Sequence, residues 1–119
     1  MRFPAIVYGD SMEPTFRSGD VIIYQPYKEN QPKHVHPEDI VLYDSMGFNK
    51  DGHPNHKPGI YVHRIIDITC VNVSGRSEIF YLIKGDNQDY TEHVRFKEIR
   101  GRVTSAYHLF TRINMGRLK

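Results

Sequence analysis

Short apolar blocks, separated by turn-forming residues, recur along the whole chain. Phe3-Pro4-Ala5-Ile6-Val7-Tyr8 is the first, with its proline confined to the beginning, where a strand tolerates it. Val21-Ile22-Ile23-Tyr24-Gln25 follows, and then Ile40-Val41-Leu42-Tyr43, an unbroken apolar run of the kind found in buried strands. Residues 59–69, Gly-Ile-Tyr-Val-His-Arg-Ile-Ile-Asp-Ile-Thr, predict a long strand. Residues 78–83, Glu-Ile-Phe-Tyr-Leu-Ile, predict its hairpin partner across the turn Ser74-Gly75-Arg76. A last strand is expected within 99–111, through Arg102–Tyr107. No segment holds a helical period for more than two turns. The pattern predicts an all-β fold of antiparallel sheets with long loops.

The connecting segments differ in character. Residues 9–19 read as a loop in which Pro14 disfavours helical geometry at Glu13 and keeps Met12-Glu13 extended. Ser18-Gly19-Asp20 is a turn signal, and Lys84-Gly85-Asp86-Asn87-Gln88 is another. Residues 26–39, rich in Pro, Lys, Glu and His, read as exposed. Residues 44–58 carry Gly, Asn, Asp, His and Pro without an apolar period and read as a long mobile loop. A loop of that length in a compact domain is usually functional or disordered.

Composition narrows the classes. The 119 residues suit a single domain, 1–119, with enough chain for its own core. Sixteen Lys and Arg against fourteen Asp and Glu leave a net charge of +2 and no basic stripe, so nothing argues for nucleic acid as a partner. Eight Tyr and six Phe, without Trp, add to the β character. A single cysteine, Cys70, excludes an internal disulfide, and its apolar neighbours predict a small buried hydrophobe. No run of ~18 apolar residues is present to span a membrane, and the N-terminus is unlike a secretory signal peptide. Residues 3–8 begin abruptly, which raises the expectation of an upstream membrane anchor absent or removed from this chain.

Candidate chemistry lies at Ser11, at His63 and in the acidic group Asp86, Asp89 and Glu92. Taken singly, each has a plain structural role: a turn cap, a satisfied core histidine, and a hairpin turn of αL-tolerant residues. Together they form an ordered set. "GDSMEPTFRSGDVI", "VHRI" and "KGDNQ" follow one another in this order and with these flanks. The set resembles the boxes of type I signal peptidases, especially the archaeal and endoplasmic-reticulum branch, over most of residues 5–103. In that branch a nucleophilic serine lies in a Ser-Met-Glu-Pro box. A histidine in a Val-His-Arg box stands where the bacterial branch has lysine, and a Gly-Asp-Asn box supplies acidic residues.

The resemblance implies a signal-peptidase/LexA-like β-domain with Ser11 as nucleophile, His63 as general base and Asp86 as the aspartate of the third box. The family's further aspartate, six residues on, is here Glu92, one methylene longer, and Asp89 is a nearer substitute. The third catalytic group is therefore one of these carboxylates. A serine hydroxyl needs a neighbour to take its proton, and an imidazole, with an ordinary pKa of about 6.5, does so near neutral pH. A carboxylate behind the imidazole would fix its tautomer, and backbone amides near Ser11 would form an oxyanion hole. The implied substrate is the signal peptide of a secretory preprotein, cut after a small residue. Tyr8, Met12 and Tyr61 are the expected substrate-binding residues, with core packing the other reading of Met12. The implied location is the extracytoplasmic or lumenal face of a membrane, and neither a cofactor nor a metal is implied.

Three alternatives stay open. Gly9-Asp10-Ser11-Met12 is typical of LexA-like self-cleaving regulators, although His63 and the lack of a helix-turn-helix pattern oppose that reading. The pairs His34/His36 and His53/His56 suggest a metal module, yet they lie in polar, Pro-rich loops and read better as solvated histidines. An inactive β-domain that keeps the motif is the third, resting on Glu92 in place of aspartate.

Overall fold

The computed structural model describes residues 1–28, 34–48, 52–54 and 56–115. Among these, eight strands form one antiparallel sheet: β1 (Phe3–Ile6), β2 (Val21–Pro26), β3 (Ile40–Ser45), β4 (Gly59–Val73), β5 (Arg76–Lys84), β6 (Glu92–Val94), β7 (Ile99–His108) and β8 (Thr111–Arg112). The order is β1-β2-β7-β3-β4-β5-β6, with β8 paired to β7. The fold is all-β, as the apolar blocks predict, but it is one sheet rather than several.

Each face of the sheet carries a core, because residues alternate sides along every strand. Ile40 and Leu42 of β3 join Val7, Met12, Phe16, Ile22, Val103 and Ala106 in one cluster, with Ala5 and Val62 packed against it. Val41 and Tyr43 of β3 join Ile65, Tyr81, Ile83, Val94 and Ile99 in the other. The run Ile40–Tyr43 is apolar throughout because both its faces are covered. Since residues of β1 and β4 share the first cluster, the strands β1-β2-β7-β3-β4 curl around it and bring β1 and β4 toward each other.

Several expectations need correction. β4 extends to Val73, four residues beyond the predicted end, and pairs with β5 as a two-stranded arm; the molecule measures 50 Å in its longest dimension and 24 Å in its shortest. Cys70 lies on this arm opposite Ile79 and is exposed, since neither core reaches it. Within 26–39, Val35 and Asp39 are buried, while residues 29–33 lie outside those described. Of the predicted loop 44–58, Ser45 belongs to β3, Phe48 bridges to Pro54 and His56 is half-buried; residues 49–51 and 55 lie outside those described. β6 is too short to show alternation in the sequence. It forms because Tyr81–Ile83 of β5 offer an edge to Glu92–Val94.

Candidate active site

Ser11 sits in a tight turn, not on an extended segment. Gly9 turns the chain at φ +82°, and the Glu13–Pro14 bond is cis. The Glu13 amide donates to the Asp10 carbonyl at 3.1 Å and the Phe16 amide to the Met12 carbonyl at 3.0 Å. This is a correction to the expectation that Pro14 holds Met12-Glu13 extended. The turn is pinned from inside by Met12 and Phe16, only 1% and 0% exposed. Burial of each such side chain contributes about 2 kcal/mol. Met12 is thus a core residue and not a pocket wall.

The turn after β5 clamps the serine loop from the other side. The Asn87 amide donates to the Ser11 carbonyl at 2.8 Å, and Asn87 Nδ2 to the Asp10 carbonyl at 3.1 Å. Gly85 is required for this approach: a Cβ there would stand 2.6 Å from the Ser11 carbonyl oxygen. Asp86 holds two elements at once. Its carboxylate receives the Thr15 hydroxyl at 2.5 Å and a bidentate pair of bonds from Arg64 Nε and Nη2, both at 2.9 Å. Burial alone would raise the Asp86 pKa, but the bonds from Arg64 and Thr15 outweigh it and hold the carboxyl below its ordinary value.

His63, 1% exposed, points from β4 to the face opposite Arg64, as its neighbour in a strand must. Its Nε2 lies 3.0 Å from Ser11 Oγ and its Nδ1 lies 2.7 Å from the Tyr43 hydroxyl. Tyr43 and Ser45 share one face of β3, and the register pairing Val41 with His63 puts that face beside the imidazole. The Tyr43 hydroxyl donates to Glu92 Oε1 and the Ser45 hydroxyl to Glu92 Oε2, each at 2.5 Å. Ser45 Oγ lies 2.8 Å from His56 Nε2, His56 Nδ1 lies 3.3 Å from the Tyr90 hydroxyl, and Gln88 Nε2 donates to that hydroxyl at 2.7 Å. Burial, with the charge of His56 adding to it and that of Asp86 opposing, pushes the His63 imidazole down to about 4. Burial and the adjacent Glu92 push the Tyr43 phenol far above its ordinary value, so it keeps its proton.

The sequence candidates therefore separate. Ser11 and His63 meet. Asp86 contacts neither of their reacting atoms and is committed to Arg64 and Thr15. Asp89 is exposed and bonds to neither Ser11 nor His63 among the described residues. Glu92 stands behind His63 with Tyr43 between them. A groove of about 250 Å³ runs between Ile6–Tyr8 and Gly59–Val62, lined by Ser11, Tyr8 and Tyr61. Two backbone edges that are unpaired among the described residues border it: β1 is the outermost strand of its side, and Gly59–His63 of β4 pair with β3. The Ser11 amide has no intramolecular partner among the described residues and is free to receive a carbonyl oxygen.

Tyr43, Ser45, Tyr90, Thr15 and Arg64 escaped the sequence reading as site residues, and His56 entered it only as half of a candidate metal pair. One signal existed: a tyrosine ending a fully buried apolar run needs a partner for its hydroxyl. No protein-family model and no curated protein matches this chain.

Proposed function

We propose that the chain is a serine endopeptidase of the signal-peptidase type, cutting an extended segment of a secretory preprotein after a small residue. The observation that carries the reading is Ser11 Oγ, 3.0 Å from the Nε2 of a buried imidazole and beside a groove bordered by two free strand edges. With its pKa lowered, His63 is neutral at pH 7 and able to accept a proton. Attack on the scissile carbonyl forms the Oγ–C bond, passes the hydroxyl proton to His63 Nε2 and moves the π pair onto oxygen, which the Ser11 amide receives. Collapse breaks the C–N bond, and His63 returns the proton to the leaving nitrogen. Water, deprotonated by the same imidazole, then hydrolyses the acyl-serine. Base catalysis of this kind is worth about 10²–10⁴ in rate, and one oxyanion donor about 10²–10³.

The groove also supports the substrate class. A peptide laid along a free edge adds as a strand, and alternate side chains then face the same wall. Tyr8 and Tyr61 fill space on that wall, which favours Ala, Ser or Gly at the cleaved residue and at the one two before it. In this reading the enzyme works at the extracytoplasmic or lumenal face of a membrane, held by an anchor. Among the described residues no helix is long and apolar enough to cross one.

The test is cleavage of a quenched-fluorescence peptide with an Ala-x-Ala site. Ser11→Ala and His63→Ala should each lower turnover on the order of 10³-fold or more, and Leu at the cleaved residue should nearly abolish cleavage. Undiminished activity in both variants overturns the assignment, and self-cleavage without cleavage of added peptide moves it to a LexA-like regulator.

A further inference from the structure

We propose that Tyr43 is the positioning residue of this site: it holds His63 in the Nδ1–H tautomer and is the hydrogen-bonded link between Glu92 and the imidazole. The proposal rests on the peptidase reading for its consequence, but its structural half can be tested without activity.

The hydrogens available at the Tyr43 hydroxyl fix the direction of both its bonds. An ionised carboxylate only accepts, whereas a phenol has one proton to give and lone pairs to receive. The Tyr43 hydroxyl touches two groups, Glu92 Oε1 and His63 Nδ1. If it gave its proton to His63, its oxygen would face the carboxylate lone pair to lone pair in a buried site, which is strongly unfavourable. It therefore donates to Glu92 and accepts from His63, so Nδ1 carries the hydrogen. Nε2 is left with its lone pair toward Ser11 Oγ, the arrangement that a general base requires.

The neighbouring bonds are compatible with this arrangement. Ser45 gives its one proton to Glu92 Oε2 and receives from His56 Nε2 and from the Gly47 amide at 3.0 Å. His56 Nδ1 lies 3.3 Å from the Tyr90 hydroxyl, whose oxygen accepts from Gln88 Nε2. Both oxygens of Glu92 are occupied by hydroxyls, and both hydroxyls are oriented by an imidazole.

During attack, His63 gains a proton at Nε2 and keeps the one at Nδ1. Tyr43 and Glu92 exchange none. The positive charge created in the buried imidazole is stabilised by Glu92 at one phenol's remove, through a polarised hydroxyl.

The first experiment is ¹⁵N-histidine NMR on the resting protein at neutral pH. His63 should show a protonated Nδ1 and a bare Nε2. In Tyr43→Phe this preference should give way to a mixture with the Nε2–H form, and kcat on the Ala-x-Ala peptide should fall roughly 10–100-fold, since tautomer and imidazolium support are both lost. KM should stay within about threefold, because Tyr43 does not reach the groove. Glu92→Gln keeps the shape without the charge and should lower kcat by about tenfold. A resting His63 in the Nε2–H form overturns the proposal, as does a Tyr43→Phe protein with tautomer and kcat unchanged. The wild-type spectrum needs no variant to fold. A protein with the Nδ1–H tautomer and no peptidase activity would keep the link and remove the peptidase reading.

Discussion

A buried imidazole holds a proton poorly, and in His63 that weakness sets two pH dependences. Catalysis in the proposed reading needs the neutral ring, so kcat/KM should rise with pH through about 4 and stay flat across the neutral range, where an ordinary histidine would still be titrating. A pH–rate profile with its acid limb near 6.5 would contradict the burial argument. Stability moves the same way. Between an unfolded value of about 6.5 and the folded value of about 4, only the unfolded chain binds the proton, so stability falls as pH drops through that window, by roughly 3 kcal/mol in total. Denaturant melts at several pH values, with His63→Phe to remove the contribution, measure it. Asp86 and Asp89 separate just as cleanly. Asp86→Asn breaks the charged clamp on the largely buried Arg64 and should cost about 2 kcal/mol. Asp89→Asn, on an exposed carboxylate, should stay within about 0.5 kcal/mol of wild type.

At the level of elements, the turns carry the site and the strands carry the turns. Gly85→Ala would push a methyl group to 2.6 Å from the Ser11 carbonyl oxygen and from Gln88 Oε1, so the clamp must open. Turnover should fall well beyond what the change in melting temperature explains, which assays of folded protein will separate. The β7–β8 hairpin turns through Leu109 and Phe110 at φ 55° and 91°, a left-handed conformation that bulky residues adopt at a cost. Replacing the pair with Asn-Gly should stabilise the domain by about 1 kcal/mol or more, read as a higher denaturation midpoint. The strands were largely legible because alternation and apolar runs are local properties of the chain. Ser11 and His63, which the structure places 3.0 Å apart, were legible as candidates because their boxes are local too. The partner of His63 was not. Asp86 lies in the matching turn, but β4 sends Arg64 and His63 to opposite faces, and Arg64 captures it. His56 and Tyr90 lie in polar stretches that look solvated in sequence, and only the pairing of β3 with β4 and β5 with β6 brings them to Glu92.

Over the whole molecule, the sheet curls around one core far enough to bring β1 and β4 together but leaves an opening between them. A peptide filling that opening would bond to both edges, and tight, uncleavable analogues should raise the melting temperature with concentration, by about 2.7 kcal/mol of stability at a hundredfold excess over Kd. In the proposed peptidase reading, catalysis in such a slot would treat the two halves of the substrate unequally. In that reading the residues before the cut would lie between the edges, whereas those after it would leave past Ser11. After hydrolysis the N-terminal half still has the strand-like shape that the opening accepts, so its departure should be the slow step at saturating substrate. A rapid first turnover followed by a slower steady rate is expected in stopped-flow traces. Competitive inhibition should come from the N-terminal product peptide and not from the C-terminal one. An enzyme of this build would depend on something nearby, a lipid phase or a second peptidase, to draw the spent segment out.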